Sequence, residues 1–358
     1  MTKRKVASFR GRDVWEYTMK NEHGMEVAVL TYGGVIHRLV YQDQSGCKKN
    51  RILAYRDIGD YEENPMFFGA LIGRVAGRIS QAMYRLPQGR TIRLEANEGR
   101  CCLHGGSRGF HHCFWKITPR SEEDRDVLVL EYVDPPHDGW ESEWHVTVTY
   151  SLNSLDELRL QYHVETDRPD LCSLTNHMYF NLDGMDAPDG ILQHALRLDA
   201  DAVQLVDAET IPTGAFLRCE EEPVFDFRAL RPIGKYGMAA HPQQALVQGG
   251  YDHAFRFSGR QHTAELVSRT SGICVDVRTS EEAVVVYTCN KVERAYPLEE
   301  GCLRRYAGVT LETQALPDRI HTANPDSVII TPERPYDSET VVSFSHLHAA
   351  GEIPLLFW

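Results

Sequence analysis

The chain has no cysteines at CxxC spacing, no basic cluster, no apolar run of membrane-spanning length, no repeat of fixed period and no glycine-, serine- or proline-rich linker. Each absence removes a class of function. A formal net charge of −13 without a basic cluster argues against nucleic acid and anionic membrane as partners. The lack of a long apolar run argues against a membrane span. The start Met1-Thr2-Lys3-Arg4-Lys5 is basic, but no apolar segment follows it, so a secretory signal is not expected. The nine cysteines are an odd number, with only Cys101 and Cys102 adjacent. They read as reduced thiols of a cytoplasmic protein. With no linker to divide it, residues 1–358 are expected to form one domain.

Long helical periodicity is also missing; short strand signals take its place. Residues 26–30, 35–41, 127–133, 144–152, 158–166, 195–199, 264–268, 273–279 and 283–288 are strand candidates, most of them alternating apolar with polar. Turn chemistry separates them, as in Asp43-Gln44-Ser45-Gly46, Asp138-Gly139 and Asn153-Ser154-Leu155-Asp156. The expected fold class is all-β, a large antiparallel β-sandwich whose sheets flank a groove. Residues 55–65 are polar and turn-rich, a loop or short helix. Residues 67–79 are apolar but carry Gly69, Gly73 and Gly77 with Arg74 and Arg78. Glycines there allow close backbone approach, and a buried arginine needs anionic or hydroxyl partners.

The stretch Leu174-Thr175-Asn176-His177-Met178-Tyr179-Phe180-Asn181-Leu182-Asp183-Gly184 fits neither a plain strand nor a surface helix. Polar groups that donate and accept, set beside flat aromatic faces, suit a polyhydroxylated ligand. Three further segments hold candidates: Leu103-His104-Gly105-Gly106, Tyr251-Asp252-His253 after two glycines, and Val309-Thr310-Leu311-Glu312-Thr313-Gln314. The run His111-His112-Cys113 looks like a set of metal ligands. Read as a strand, it points adjacent side chains to opposite faces and cannot share one ion.

Taken in order, these segments resemble the aldose 1-epimerase (mutarotase) family over nearly the whole chain. Leu30-Thr31-Tyr32-Gly33-Gly34, Gly73-Arg74-Val75-Ala76-Gly77-Arg78-Ile79 and Leu103-His104-Gly105-Gly106 are similar to family segments. So are the stretch from Leu174, Ile211-Pro212-Thr213-Gly214, Tyr251-Asp252-His253, Tyr287-Thr288-Cys289-Asn290 and Leu311-Glu312-Thr313-Gln314. The resemblance implies a galactose mutarotase-type β-sandwich with an open sugar groove and no cofactor or metal. It implies Glu312 as general base on the anomeric hydroxyl, His177 as general acid on the ring oxygen, and His104 near the anomeric hydroxyl. Arg78 and Asp252 fall on binders of other ring hydroxyls, and Asn176 is expected among the substrate contacts. The partner is a monosaccharide, galactose or glucose, and the chain a monomer or homodimer.

The roles also make chemical sense without the family. Opening a hemiacetal removes one proton and delivers another at oxygens that share C1. A carboxylate and an imidazole suit that exchange, and positioned acid–base catalysis contributes about 10²–10⁴-fold. Three other readings stand beside this one: a catalytically silent sugar-binding module, an epimerase of a phosphorylated hexose, and a metal site of two histidines and one carboxylate. Gly77 departs from the family's asparagine, and the space it leaves is expected to tune which sugar is held; the alternative is that the glycine serves a backbone with positive φ, where asparagine would only destabilise the fold.

Overall fold

The computed structural model describes residues 1–185, 187–259 and 262–347. The end of the expected 1–358 domain, 348–358, lies outside the described residues. The first sheet is a five-stranded meander of Thr2–Phe9, Arg12–Lys20, Glu26–Leu30, Ile36–Gln42 and Lys48–Asn50, paired in chain order. Its first hairpin turns at Arg10 and Gly11, both with positive φ (49° and 74°), the backbone that tight hairpin turns require.

A nine-stranded antiparallel sheet follows in the order Lys116–Ser121, Arg125–Asp134, Trp144–Asn153, Glu157–Thr166, Tyr336–His346, Ile273–Thr279, His262–Val267, Ala195–Leu198, Arg231–Pro232. In Trp144–Asn153 the residues Trp144, Val146, Val148, Tyr150 and Leu152 are buried, while His145, Thr147 and Thr149 point the other way, as the two-residue period of a strand dictates. Val148 lies opposite Leu130 on one side and Tyr162 on the other. Apolar ladders therefore cross the sheet on its core face, while a small separate cluster of Ala195, Val267 and Cys274 lies on the other.

The third sheet orders Tyr179–Phe180, Val309–Gln314, Ala283–Tyr287, Asp252–Phe257, Ala200–Val206 and Pro212–Arg218. Its core-facing side chains Val203, Phe255, Val284, Val286, Val309 and Leu311 join those of the nine-stranded sheet in one apolar cluster. Val27, Val29, Ile36 and Leu39 of the first sheet close the same cluster. Each fully buried Val or Leu contributes about 1.5–3 kcal/mol, so an aspartate at Val286 would strand a charge in the middle of this layer. One polar seam ties two sheets together: Thr313 Oγ1 lies 2.7 Å from Thr340 Oγ1, itself 3.0 Å from Thr279 Oγ1.

The fold is the expected all-β sandwich, with Ile58–Glu62 as a short helical turn inside the 55–65 loop. Among the described residues no helix is long and apolar enough to cross a membrane. What matters for function is the other face of the six-stranded sheet, which turns away from the core and floors a groove.

Candidate active site

All six residues of Val309–Gln314 are buried, yet they serve two environments. Val309 and Leu311 enter the apolar core; Thr310, Glu312 and Gln314 alternate onto the opposite face. Glu312 sits opposite Val285 and Val285 opposite Ala254, while Thr310 sits opposite Tyr287 and Tyr287 opposite Asp252. This register puts Glu312 and Asp252 on one floor. Above it lies a cavity of about 590 Å³ whose wall also includes Phe67, Arg78, Glu98, His104, His177 and Lys291.

His177 reaches that wall from the link between Thr175–Asn176, which pairs with Leu71–Ile72, and Tyr179–Phe180, which pairs with the Glu312 strand. Its backbone is clamped: His177 N donates to Ala70 O (3.0 Å) and Gly69 N to His177 O (2.9 Å). A Cβ on Gly69 would lie 1.9 Å from Ile36 O, so only glycine fits there. The result places His177 Nε2 3.4 Å from Glu312 Oε1. Thr310 Oγ1 donates to the same carboxyl oxygen at 2.9 Å.

His104 is held by Gly77. His104 N donates to Gly77 O (3.1 Å), and Gly77 N donates to His104 Nδ1 (3.2 Å). An accepting Nδ1 leaves the proton of the neutral ring on Nε2. The His104 and His177 rings meet edge to face with centroids 5.5 Å apart, and the Phe67 ring packs 4.9 Å from His104 and 5.8 Å from His177.

Burial dominates the ionisation of the group. It pushes the Glu312 carboxyl up to about 8, against the hydrogen bond from Thr310, with the Asp252 charge adding to the rise. It pushes His177 down to about 4 and His104 well below the ordinary imidazole value. His177 Nδ1 is buried without a hydrogen-bond partner among the described residues, so an imidazolium there has one N–H unsatisfied. Near neutral pH the facing pair therefore carries one proton, which burial biases toward Glu312. Burial opposes ionisation of Asp252 as well, but the Lys291 and Arg78 charges hold it below the usual carboxylate range.

Glu312, His177, His104, Arg78 and Asp252 converge on one cavity. Asn176 does not line it: its Nδ2 donates to Gly69 O at 2.9 Å, behind His177. Arg74 stays out too, buried between Asp134 (2.7 Å) and Asp170 (3.0 Å) and beside the Trp144 ring. The His111-His112 pair is corrected. Phe110–His112 is a helical turn rather than a strand, and the two rings lie together at 4.2 Å instead of on opposite faces. His112 is spent on the Ser107 and Glu63 carbonyls and His111 packs on Phe67.

Sequence reasoning missed Glu98, which grips Arg78 through Nε (2.6 Å) and Nη2 (3.0 Å), and Lys291, which bonds Asp252 (3.2 Å) and Thr210 (3.0 Å). His104, His177 and Glu312 each present a ligand-type atom within 4.8 Å of the others. Arg78 on the same cavity wall disfavours a cation among them.

The family profile described as aldose 1-epimerase matches residues 16–343. The chain is 30% identical over 341 residues to a maltose epimerase of Levilactobacillus brevis, covering 94% of this chain and 96% of that one. It is 33% identical over 311 residues to an aldose 1-epimerase of Haemophilus influenzae, covering 84% and 86%. Its fold is similar to that of a galactose 1-epimerase from Lactobacillus acidophilus NCFM, with a TM-score of 0.86 at 24% identity over 97% of this chain and 99% of that one. With a buried carboxyl and imidazole facing each other in its cavity and the family profile spanning most of its length, the chain belongs to the aldose 1-epimerase family of carbohydrate isomerases.

Proposed function

We propose that this aldose 1-epimerase interconverts the α and β anomers of a free hexose, galactose or glucose, by acid–base ring opening and closure. The observation that carries the reading is the facing of His177 Nε2 and Glu312 Oε1 at 3.4 Å. Glu312 as carboxylate takes the proton of the anomeric hydroxyl, and His177 as imidazolium delivers one to the ring oxygen. The C1–O5 bond breaks, the aldehyde turns about C1–C2, and closure on the other face returns both protons. This productive form has the same proton count as the resting site. Sugar hydroxyls that donate to Glu312 favour its ionised form, with the proton then on His177. His104, with its Nε2–H available, donates to the anomeric oxygen, while Arg78 and Asp252 hold other ring hydroxyls. Asn176 acts from behind, fixing the Gly69 backbone on which His177 rests.

Charge on the wall supports a neutral sugar over a phosphorylated one. Arg78, Lys291 and Arg294 line the cavity, but Glu98, Asp252 and Glu293 line it too, leaving no surplus for a phosphate. The nine unpaired thiols support a reducing compartment, the cytoplasm. Polarimetry or proton NMR of freshly dissolved sugars tests the function. Galactose or glucose should equilibrate faster with protein than in buffer, and a broad panel of aldoses with no acceleration would overturn it.

A further inference from the structure

One cation in the cavity has no role in the ring-opening chemistry. Lys291 follows Asn290 just beyond the Ala283–Tyr287 strand, and its position is set by contacts that do not involve its own side chain. Lys291 N donates to Tyr287 Oη at 3.0 Å. Asn290 Nδ2 donates to Tyr251 O (2.8 Å) and Val247 O (3.3 Å), anchoring the turn to the loop ahead of Asp252. From this fixed point the side chain runs into the cavity, where Nζ bonds Asp252 Oδ2 (3.2 Å) and Thr210 Oγ1 (3.0 Å). An ammonium has three donors, so one remains for a ligand. Asp252 uses only one of its oxygens on Lys291 and keeps acceptor capacity. Their side chains are 28% and 15% exposed, which leaves them open toward the cavity but not bathed in solvent.

We propose that Lys291 is a specificity-determining residue that, together with Asp252, reads one hydroxyl of the sugar remote from C1. A hydroxyl placed at this pair donates to the carboxylate and accepts from the ammonium at once, so both of its functions are satisfied by charge-assisted bonds. An epimer that turns this hydroxyl away, or a deoxy sugar that lacks it, leaves a half-buried ammonium and carboxylate without that partner. Sites built to hydrogen-bond a hydroxyl reject the analogue lacking it far more strongly than apolar pockets reject a missing methylene. The competing account gives Lys291 no contact with substrate and makes it only the counter-ion of Asp252. The two differ in one measurable respect. A counter-ion affects every sugar by the same factor, whereas a reader affects the sugars according to one hydroxyl.

The inference rests on the cavity being the sugar site, so the test measures binding, which needs no turnover. Galactose, glucose and the 2-, 3-, 4- and 6-deoxy derivatives of galactose are titrated calorimetrically into the wild type and Lys291→Met. In the wild type one deoxy sugar is expected to bind about 10-fold or more below its parent. In Lys291→Met the parent should weaken about 10-fold, that one deoxy penalty should fall to about 3-fold or less, and the ratios for the other derivatives should stay as they were. KM should follow these changes more than kcat. Asp252→Asn combined with Lys291→Met removes both charges. It serves as the second variant should the lone carboxylate unfold the protein, and it should erase the same penalty. Unchanged affinities in the variants, or a uniform loss for every sugar, would overturn the role of Lys291 alone. A wild type that binds none of these hexoses would overturn the sugar site and the inference with it.

Discussion

His177 Nε2 stands 3.4 Å from Glu312 Oε1, with both side chains buried and no lysine or arginine bonded to the carboxyl among the described residues. Two groups so close titrate as a pair. Burial sets its limits near 4 for His177 and near 8 for Glu312. Below the lower value the pair takes a second proton and has no base; above the upper value it loses its only proton and has no acid. The profile of kcat/KM should be a bell with limbs near these two values, whichever residue holds the proton between them. An acid limb near the ordinary imidazole value, or no basic limb up to pH 9, would show that the pair is hydrated and refute this account.

Removing the carboxylate should separate activity from stability. Glu312→Gln keeps the volume and Thr310's partner but cannot accept a proton, so kcat should fall by about 10²–10⁴-fold. The folded pKa of Glu312 is raised, so its neutral form is the one the fold favours; that stability is present below about 4.5 and is lost as pH rises through about 8. A glutamine never ionises. The melting temperature of Glu312→Gln should therefore exceed that of the wild type at pH 8–9, with the gap closing toward pH 5. His177→Asn should also be slow, and the double variant should lose much less than the product of the singles, because the two groups serve one proton exchange. Near wild-type kcat in Glu312→Gln would remove the base from this assignment.

The core strands were legible because one face is apolar and the other polar, as in Trp144, Val146 and Val148 against His145, Thr147 and Thr149. Ala200–Val206 and Tyr336–His346 were not. In Ala200–Val206 the pairing register slips between Ala200 and Ala202 and again between Gln204 and Val206, so alternation changes phase within the strand. Tyr336–His346 buries Ser338 and Thr340 beside Val342 and Phe344, and hydroxyls on the inner face blur the pattern. The site divided in the same way. Glu312, His177, His104, Asp252 and Arg78 stand in recognisable segments, whereas their partners do not. Glu98 meets Arg78 across 20 residues and Lys291 meets Asp252 across 39, pairings that only tertiary structure creates.

The two arginines of Gly73-Arg74-Val75-Ala76-Gly77-Arg78 should answer mutation differently. Arg74 is buried among Asp134, Asp170 and Ser142, so Arg74→Met leaves two carboxylates uncompensated. Breaking a buried pair in this way costs about 3–5 kcal/mol, to be read from denaturant unfolding. Arg78→Met should instead leave stability less affected and raise KM, since its guanidinium lines the cavity and its partner Glu98 is 43% exposed. An Arg74→Met protein as stable as the wild type would contradict the buried-charge account.

Gly77 carries the last prediction. It lines the cavity, and its backbone and near neighbours bear on whether a side chain there would tune the sugar. Gly77 has φ +78°, and a Cβ there would lie 3.1 Å from Pro317 Cβ, 3.3 Å from Pro317 Cγ and 3.4 Å from Gln314 Nε2. Its N–H and C=O both serve His104. The glycine thus supplies a left-handed backbone that holds a site histidine, the alternative to a role in choosing the sugar. Gly77→Ala should cost about 1–2 kcal/mol for the left-handed backbone alone, with more from the rigid proline ring. Asparagine tolerates that backbone better, so its conformational cost should be smaller, but it meets the same proline. Both variants should lower the melting temperature and, by moving the His104 ring, lower kcat, while the ranking of galactose, glucose and a disaccharide stays as in the wild type. Steady-state kinetics beside melting curves decide the matter. An unchanged melting temperature with a reordered sugar preference in Gly77→Asn would return this residue to a selective role.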